Sequence, residues 1–180
     1  MLETFADGRV VVKVGDLTRE RTDAIVNAAN STLLGGGGID GAIHAAGGPS
    51  ILAECRQIRK NLHPDGLPTG KAVITTGGDL PAKHVIHTVG PIYGNHSGRE
   101  ADLLPDCYQN SLKLAVENAL ATIAFPSISC GVYGYPKNEA AVVASTTIKS
   151  FLRGDETITE VRLVFFSTHD GETFLEHQRF

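Results

Sequence analysis

AIVNAANSTLLGGGGIDGAIH, residues 24–44, is the stretch on which the fold turns. Ala24–Ala29 is a short, nearly all-apolar run, as expected of a strand buried on both faces. A glycine-rich loop follows, and then a segment that reads as a helix. In open α/β sheets ligands gather where such loops leave the carboxyl ends of strands.

Outward from this stretch the same alternation continues. Strand-like runs occupy Arg9–Val14, Ala72–Thr76, His84–Val89, Thr122–Ile128 and Glu160–Phe166. Helical spacing of apolar residues marks Pro49–Leu62, Ala101–Ala121 and Asn138–Leu152, and Gly171–Arg179 is a shorter helix candidate. Strands and helices in alternation predict an α/β sheet covered on both faces. No repeat, linker or low-complexity tract interrupts the pattern, so residues 1–180 are expected to form a single domain.

Composition narrows the function. Lys and Arg number 16 against 20 Asp and Glu, a net charge of −4, so long nucleic acid is not an expected partner. The apolar runs are too short to span a bilayer, and the first residues show no secretory signal, so the expectation is a cytoplasmic protein with no membrane partner. The three cysteines, Cys55, Cys107 and Cys130, form no CxxC pair, and neither a disulfide framework nor a metal site is expected. Glycine is the outlier: 20 of 180 residues, about 11% where about 7% is usual. Seven of them fall between Gly35 and Gly48.

A second glycine loop, Ser129–Pro136 (SCGVYGYP), follows the strand that begins at Thr122. Glycines let a backbone approach a ligand closely, and successive N–H groups at a helix start can cradle a diphosphate. Asp40 is the sole charge from Ala24 to Ala53, and Asn118–Pro136 carries none. An anion held by these loops must therefore be held by amides and helix dipoles, which favours one small ligand over a polyanion. Gly36, Gly38 and Gly41 spell a literal GxGxxG. The second strand with an acidic end that a nicotinamide site needs is missing, so a dinucleotide oxidoreductase is disfavoured. The phosphate-loop GxxxxGK[ST] and the GxSxG nucleophile elbow are absent too.

Asp40 sits at a predicted helix start with His44 one turn later on the same face. A carboxylate there either caps the helix or orients a water beside a bound ligand. Asn27 and Asn30 close an apolar strand; one can staple the loop while the other meets a sugar hydroxyl. Asp16 either caps the next segment or accepts from an exocyclic amino group. Tyr133 and Tyr135 offer flat faces to a ribose or base, or cover the sheet edge. Cys130, with no His–Asp partners evident, is not expected to be a nucleophile.

Six motifs occur in order along the chain: GDLT (15–18), VNAAN (26–30), LLGGGGIDGAIH (33–44), PTGKA (68–72), HTVGP (87–91) and FPSISCGVYGYP (125–136). Together they closely resemble the macrodomain family, in particular its MacroD-like branch. The resemblance implies a three-layer α/β/α sandwich around a six-stranded mixed sheet. It implies binding of ADP-ribose and O-acetyl-ADP-ribose, removal of mono-ADP-ribose from acidic side chains of mono-ADP-ribosylated proteins, and deacetylation of O-acetyl-ADP-ribose. No cofactor or metal is implied. It assigns Asp40 to the attacking water, Asn30 to the distal ribose, and His44 to support of the loop carrying Asp40. It assigns Asp16 and the backbone of Leu17 to adenine, with Asn27 near the ligand. The diphosphate and ribose fall to Gly37, Gly38 and Ile39 and to Ser129, Cys130, Gly131, Val132 and Tyr133. An aromatic beside adenine would be His169 or Phe166. Cys130 stands where the family usually has Thr or Ser, and AAGG follows His44 where a larger or basic residue is common. A non-catalytic reader of ADP-ribose is the alternative of a different class.

Overall fold

The computed structural model describes residues 2–180. Its strands are β1 (Leu2–Phe5), β2 (Val10–Val14), β3 (Ala24–Ala29), β4 (Ala72–Thr76), β5 (His84–Val89), β6 (Thr122–Phe125) and β7 (Glu160–Phe165). Its helices are α1 (Gly38–Gly47), α2 (Pro49–Asn61), α3 (Glu100–Glu117), α4 (Lys137–Gly154) and α5 (Thr168–His177), with a 3-10 turn at Leu17–Arg19. None of these helices is long and apolar enough to cross a membrane.

The strands form one mixed sheet in the order β1-β2-β7-β6-β3-β5-β4. The five central strands are parallel, and β1 and β4 run antiparallel at the two edges. The sheet therefore has seven strands, not six. The additional strand, β1, is short and largely exposed, and it pairs only with β2. Such an edge strand buries no apolar face and leaves no periodic signature in the sequence. The strand predicted over Thr122–Ile128 stops at Phe125, because Pro126 cannot donate to a ladder.

The period-2 alternation of each strand sends its side chains into two separate cores. Ala24 and Val26 of β3 and Ile86 of β5 join Leu104, Leu112 and Ile148 beneath α3, α4 and α5. Ile25 and Ala29, with Val85 and Val89, join Ile43, Ile51 and Cys55 beneath α1 and α2. This is the predicted three-layer sandwich. Each fully buried Ile or Leu contributes about 1.5–3 kcal/mol. The same alternation places two polar residues, Asn27 and His87, under α1 and α2; they are cross-strand partners in the parallel β3–β5 register and fully buried.

The chain order leaves β3 beside β6 at the centre, with β5 and β4 on one side and β7 and β2 on the other. The segments after β3 and after β6 diverge at this switch point and open a crevice between them.

Candidate functional site

A cleft of about 610 Å³ lies at the carboxyl ends of all five parallel strands. Each strand contributes to it: Gly15 after β2, Asn30 after β3, Gly90 after β5, Ser127 after β6 and Phe166 after β7. The two glycine loops form its main walls.

The first wall is Gly36–Asp40, the entry into α1. Gly37 precedes the helix with extended backbone, and no side chain caps the N-terminus. The first-turn amides, which have no intrahelical acceptors, are thus left to face whatever enters the cleft. Gly38 has φ +57, a left-handed conformation that favours glycine. The second wall is Ser129–Tyr133. It is closed on itself by Gly134 N–H donating to Gly131 O (3.0 Å) and Tyr135 N–H donating to Ser129 O (3.0 Å), and Tyr93 N–H donates to Tyr133 O (2.8 Å). Ser129 is a non-glycine residue with φ +63, and its buried hydroxyl has no hydrogen-bond partner. Strain of this kind costs about 1–3 kcal/mol and clusters at ligand sites.

Asp40 is almost fully buried. Its Oδ1 accepts from Asn27 Nδ2 at 2.7 Å, while its Oδ2, which is itself buried just under the cleft surface, has no protein partner among the described residues. His44 Nε2 lies 3.4 Å from Oδ1, yet neither ring nitrogen of His44 makes a hydrogen bond. The group that grips Asp40 is therefore Asn27, with His44 packed alongside. Asn27 Nδ2 also lies 3.1 Å from His87 Nδ1. Burial and the neighbouring His44 push the His87 pKa down to about 3.

Asn30 lines the cleft and is also tied to its own loop, with one amide hydrogen left over. Its Oδ1 accepts from Thr32 N–H at 3.0 Å, and its Nδ2 donates to Gly35 O at 3.0 Å. Tyr133 has its phenol raised above the ordinary range by burial and by the Asp40 charge. Burial likewise raises the Cys130 thiol, which donates to Ile128 O at 3.4 Å. A thiol held protonated in this way is a poor nucleophile.

Ten of the residues singled out from the sequence line the cleft: Asn30, Gly37, Gly38, Ile39, Asp40, Ser129, Cys130, Gly131, Val132 and Tyr133. Four lie off its walls. Asn27 and His44 stand behind Asp40. Leu17 is buried in the core beneath α1 and α2. Asp16 follows Gly15 at the rim, and its Oδ1 accepts from Thr18 N–H (2.9 Å) and Thr18 Oγ1 (2.7 Å), which lowers its pKa. Of the two aromatic candidates, Phe166 lines the cleft and His169 does not.

Sequence reasoning missed His87, Gly90, Lys137 and Asp170. The first two lie within HTVGP, a motif whose residues carried no assigned role. Lys137 and Asp170 begin α4 and α5 and both line the cleft, with Lys137 Nζ 2.6 Å from Asp170 Oδ1. Among the described residues, the one lysine on the wall thus has its charge committed to a carboxylate.

The family model "Macro domain" matches residues 26–144. A Macro domain-containing protein of Streptomyces nogalater is 54% identical over 160 residues, covering 89% of this chain and 86% of its own. An O-acetyl-ADP-ribose deacetylase of Cronobacter turicensis is 49% identical over 172 residues, covering 96% and 95%. Among solved structures, a glycine-to-valine variant of the Oceanobacillus iheyensis macrodomain with ADPR superposes with a TM-score of 0.93 at 46% identity, covering 98% of this chain and 95% of that one. With its switch-point cleft, its two glycine walls and these relatives, the chain belongs to the Macro domain family.

Proposed function

We propose that this protein is a hydrolase of esters on the distal ribose of ADP-ribose. It deacetylates O-acetyl-ADP-ribose and releases mono-ADP-ribose from acidic protein side chains. The observation that carries this reading is Asp40: a buried carboxylate in the cleft wall with Oδ1 held by Asn27 and Oδ2 free of protein partners. A carboxylate needed only for structure would have both oxygens satisfied. The deacetylase relatives support the class of reaction.

The diphosphate lies against the amides of Gly37–Ile39 and of Gly131–Tyr133, with no cation required. The distal ribose sits between Asn30 and Tyr133. Asp40 Oδ2 accepts a hydrogen bond from a water and directs its oxygen at the ester-bearing ribose. As the ester bond breaks, the water contributes hydroxide to one fragment and its proton to the other, giving a carboxylic acid and a free ribose hydroxyl. Tyr133, kept protonated by its surroundings, donates a hydrogen bond toward the same water or the sugar.

Positioned acid–base groups contribute typically 10²–10⁴-fold in rate. Asp40→Ala is therefore expected to lower kcat on O-acetyl-ADP-ribose and on glutamate-linked mono-ADP-ribosylated protein by roughly a hundredfold or more, with the Kd for ADP-ribose kept within about threefold. A wild-type protein that binds ADP-ribose yet releases nothing from either substrate would be a reader, and the hydrolase reading would fall.

A further inference from the structure

Behind Asp40, on the side away from the cleft, a line of polar groups is sealed between the sheet and helices α1 and α2. Thr75 Oγ1 lies 3.0 Å from Thr76 O and 2.9 Å from His87 Nε2. His87 Nδ1 lies 3.1 Å from Asn27 Nδ2, which in turn lies 2.7 Å from Asp40 Oδ1. Thr75, His87, Asn27 and Asp40 are all buried, His87 and Asn27 completely.

With Thr75 donating to Thr76 O and Asp40 ionised, these contacts take one assignment of hydrogens, which leaves Asn27 Oδ1 buried without a partner. The hydroxyl of Thr75 has a single hydrogen, and the carbonyl of Thr76 can only accept it. Thr75 Oγ1 must then accept from His87, so Nε2 carries the ring proton. In a neutral ring Nδ1 is bare and needs a donor. Asn27 must therefore turn its amide nitrogen, not its carbonyl, toward His87. The second hydrogen of that same nitrogen points at Asp40 Oδ1. With the amide flipped, its oxygen would face both a bare ring nitrogen and a carboxylate, an arrangement with no hydrogen between three acceptors.

Three other ionisable groups lie near the ring. On α2, Cys55 Sγ is 3.8 Å from Nε2, and burial pushes its thiol up to about 12. On α1, the His44 ring centroid is 6.2 Å away, and His44 Nε2 lies 3.4 Å from Asp40 Oδ1 without forming a hydrogen bond to it. Asp40 touches His87 only through Asn27.

We propose that His87 is a positioning residue for the hydrolysis. As the neutral Nε2–H tautomer it dictates how the Asn27 amide is turned, and Asn27 in turn ties down Asp40 Oδ1 so that Oδ2 is the oxygen left for water. His87 touches no ligand; it acts through Asn27. The kinetic part of this inference rests on the hydrolase reading, while the tautomer does not.

Two variants separate positioning from packing. His87→Phe keeps a ring and removes the acceptor, whereas His87→Asn is smaller but places an acceptor oxygen where Nδ1 stood. His87→Phe is expected to lower kcat about tenfold or more with the Kd for ADP-ribose within about threefold of wild type, and His87→Asn to recover most of that loss despite its smaller side chain. In an Asn27→Ala or Asp40→Ala background, His87→Phe is expected to cost nothing further, because the path it acts through is already cut. Equal losses in the Phe and Asn variants, or full additivity with Asp40→Ala, would overturn the proposal. Long-range 15N–1H spectra read the ring itself: His87 should show a protonated Nε2 and a bare Nδ1 throughout pH 5–8. A protonated Nδ1 would overturn the proposal even in an active enzyme. The expected tautomer in a protein that releases nothing would sink the hydrolase reading instead.

Discussion

A Cβ built on Gly36 would stand 3.0 Å from Asp40 Oδ2 and 3.1 Å from Asn30 Nδ2, whereas one built on Gly37 meets no atom within 4 Å. Adjacent glycines in the same wall thus have different duties. Gly36 keeps methyl-sized bulk away from the carboxylate, and in the proposed reaction Gly37 keeps the path of the ligand clear. Gly36→Ala is expected to lower kcat on O-acetyl-ADP-ribose about tenfold, because the Asp40 carboxylate must give way by a few tenths of an ångström. Gly37→Ala is expected to act on KM instead. Steady-state kinetics on the two variants, with melting curves to confirm folding, checks this; matching kcat losses would contradict the division. Asp40 itself was legible in the sequence as a lone charge among glycines. Its keeper was not. His44, one turn along the same helix, was the obvious candidate by helical spacing, but it makes no hydrogen bond to Asp40, and Asn27 does. Spacing along one element reports which side chains share a face, not which partner across the core wins the contact.

At the scale of elements, the parallel strands and their helices announced themselves through apolar periodicity, and their bounds shifted by only a few residues. The loops after β3 and β6 were legible as a pair because bare backbone is costly and seven glycines close together demand a reason. Two things stayed hidden for physical reasons. Edge strand β1 buries too little to pattern its sequence. The Asn27–His87 pairing depends on the register between β3 and β5, which lie 55 residues apart from the end of the first (Ala29) to the start of the second (His84), in an order set by the whole sheet. His87 reads in isolation as a polar interruption of an apolar strand. Only when β3 is laid beside β5, with Thr75 on the next strand, does it become the centre of a hydrogen-bonded line.

For the molecule as a whole, burying that line ties stability to pH. His87 in the folded protein has its pKa depressed to about 3, below the ordinary value of 6.5. Between these values the unfolded chain binds a proton that the native protein does not, so stability rises with pH there. The contribution is complete above about pH 6.5 and is lost progressively as pH falls toward the folded value. From pH 7 to pH 5, wild type is expected to lose about 2 kcal/mol more than His87→Asn in urea unfolding, since about 1.4 kcal/mol accompanies each pH unit of the window. Parallel pH dependences of the two proteins would show that His87 titrates normally. The chain carries −4 overall, and Lys137, the lysine at the cleft wall, is engaged by Asp170 at 2.6 Å. A diphosphate held there as proposed, by uncapped helix amides, makes no pairing between full charges for salt to screen. Raising salt from about 50 to about 500 mM should therefore move the Kd for ADP-ribose by less than about threefold, where direct pairing with lysines would be screened more steeply. A steep slope by calorimetry would mean that a cation reaches the phosphates after all. With a flat one, affinity is governed by the shape of two loops, and the ionic strength of the surroundings has little purchase on it.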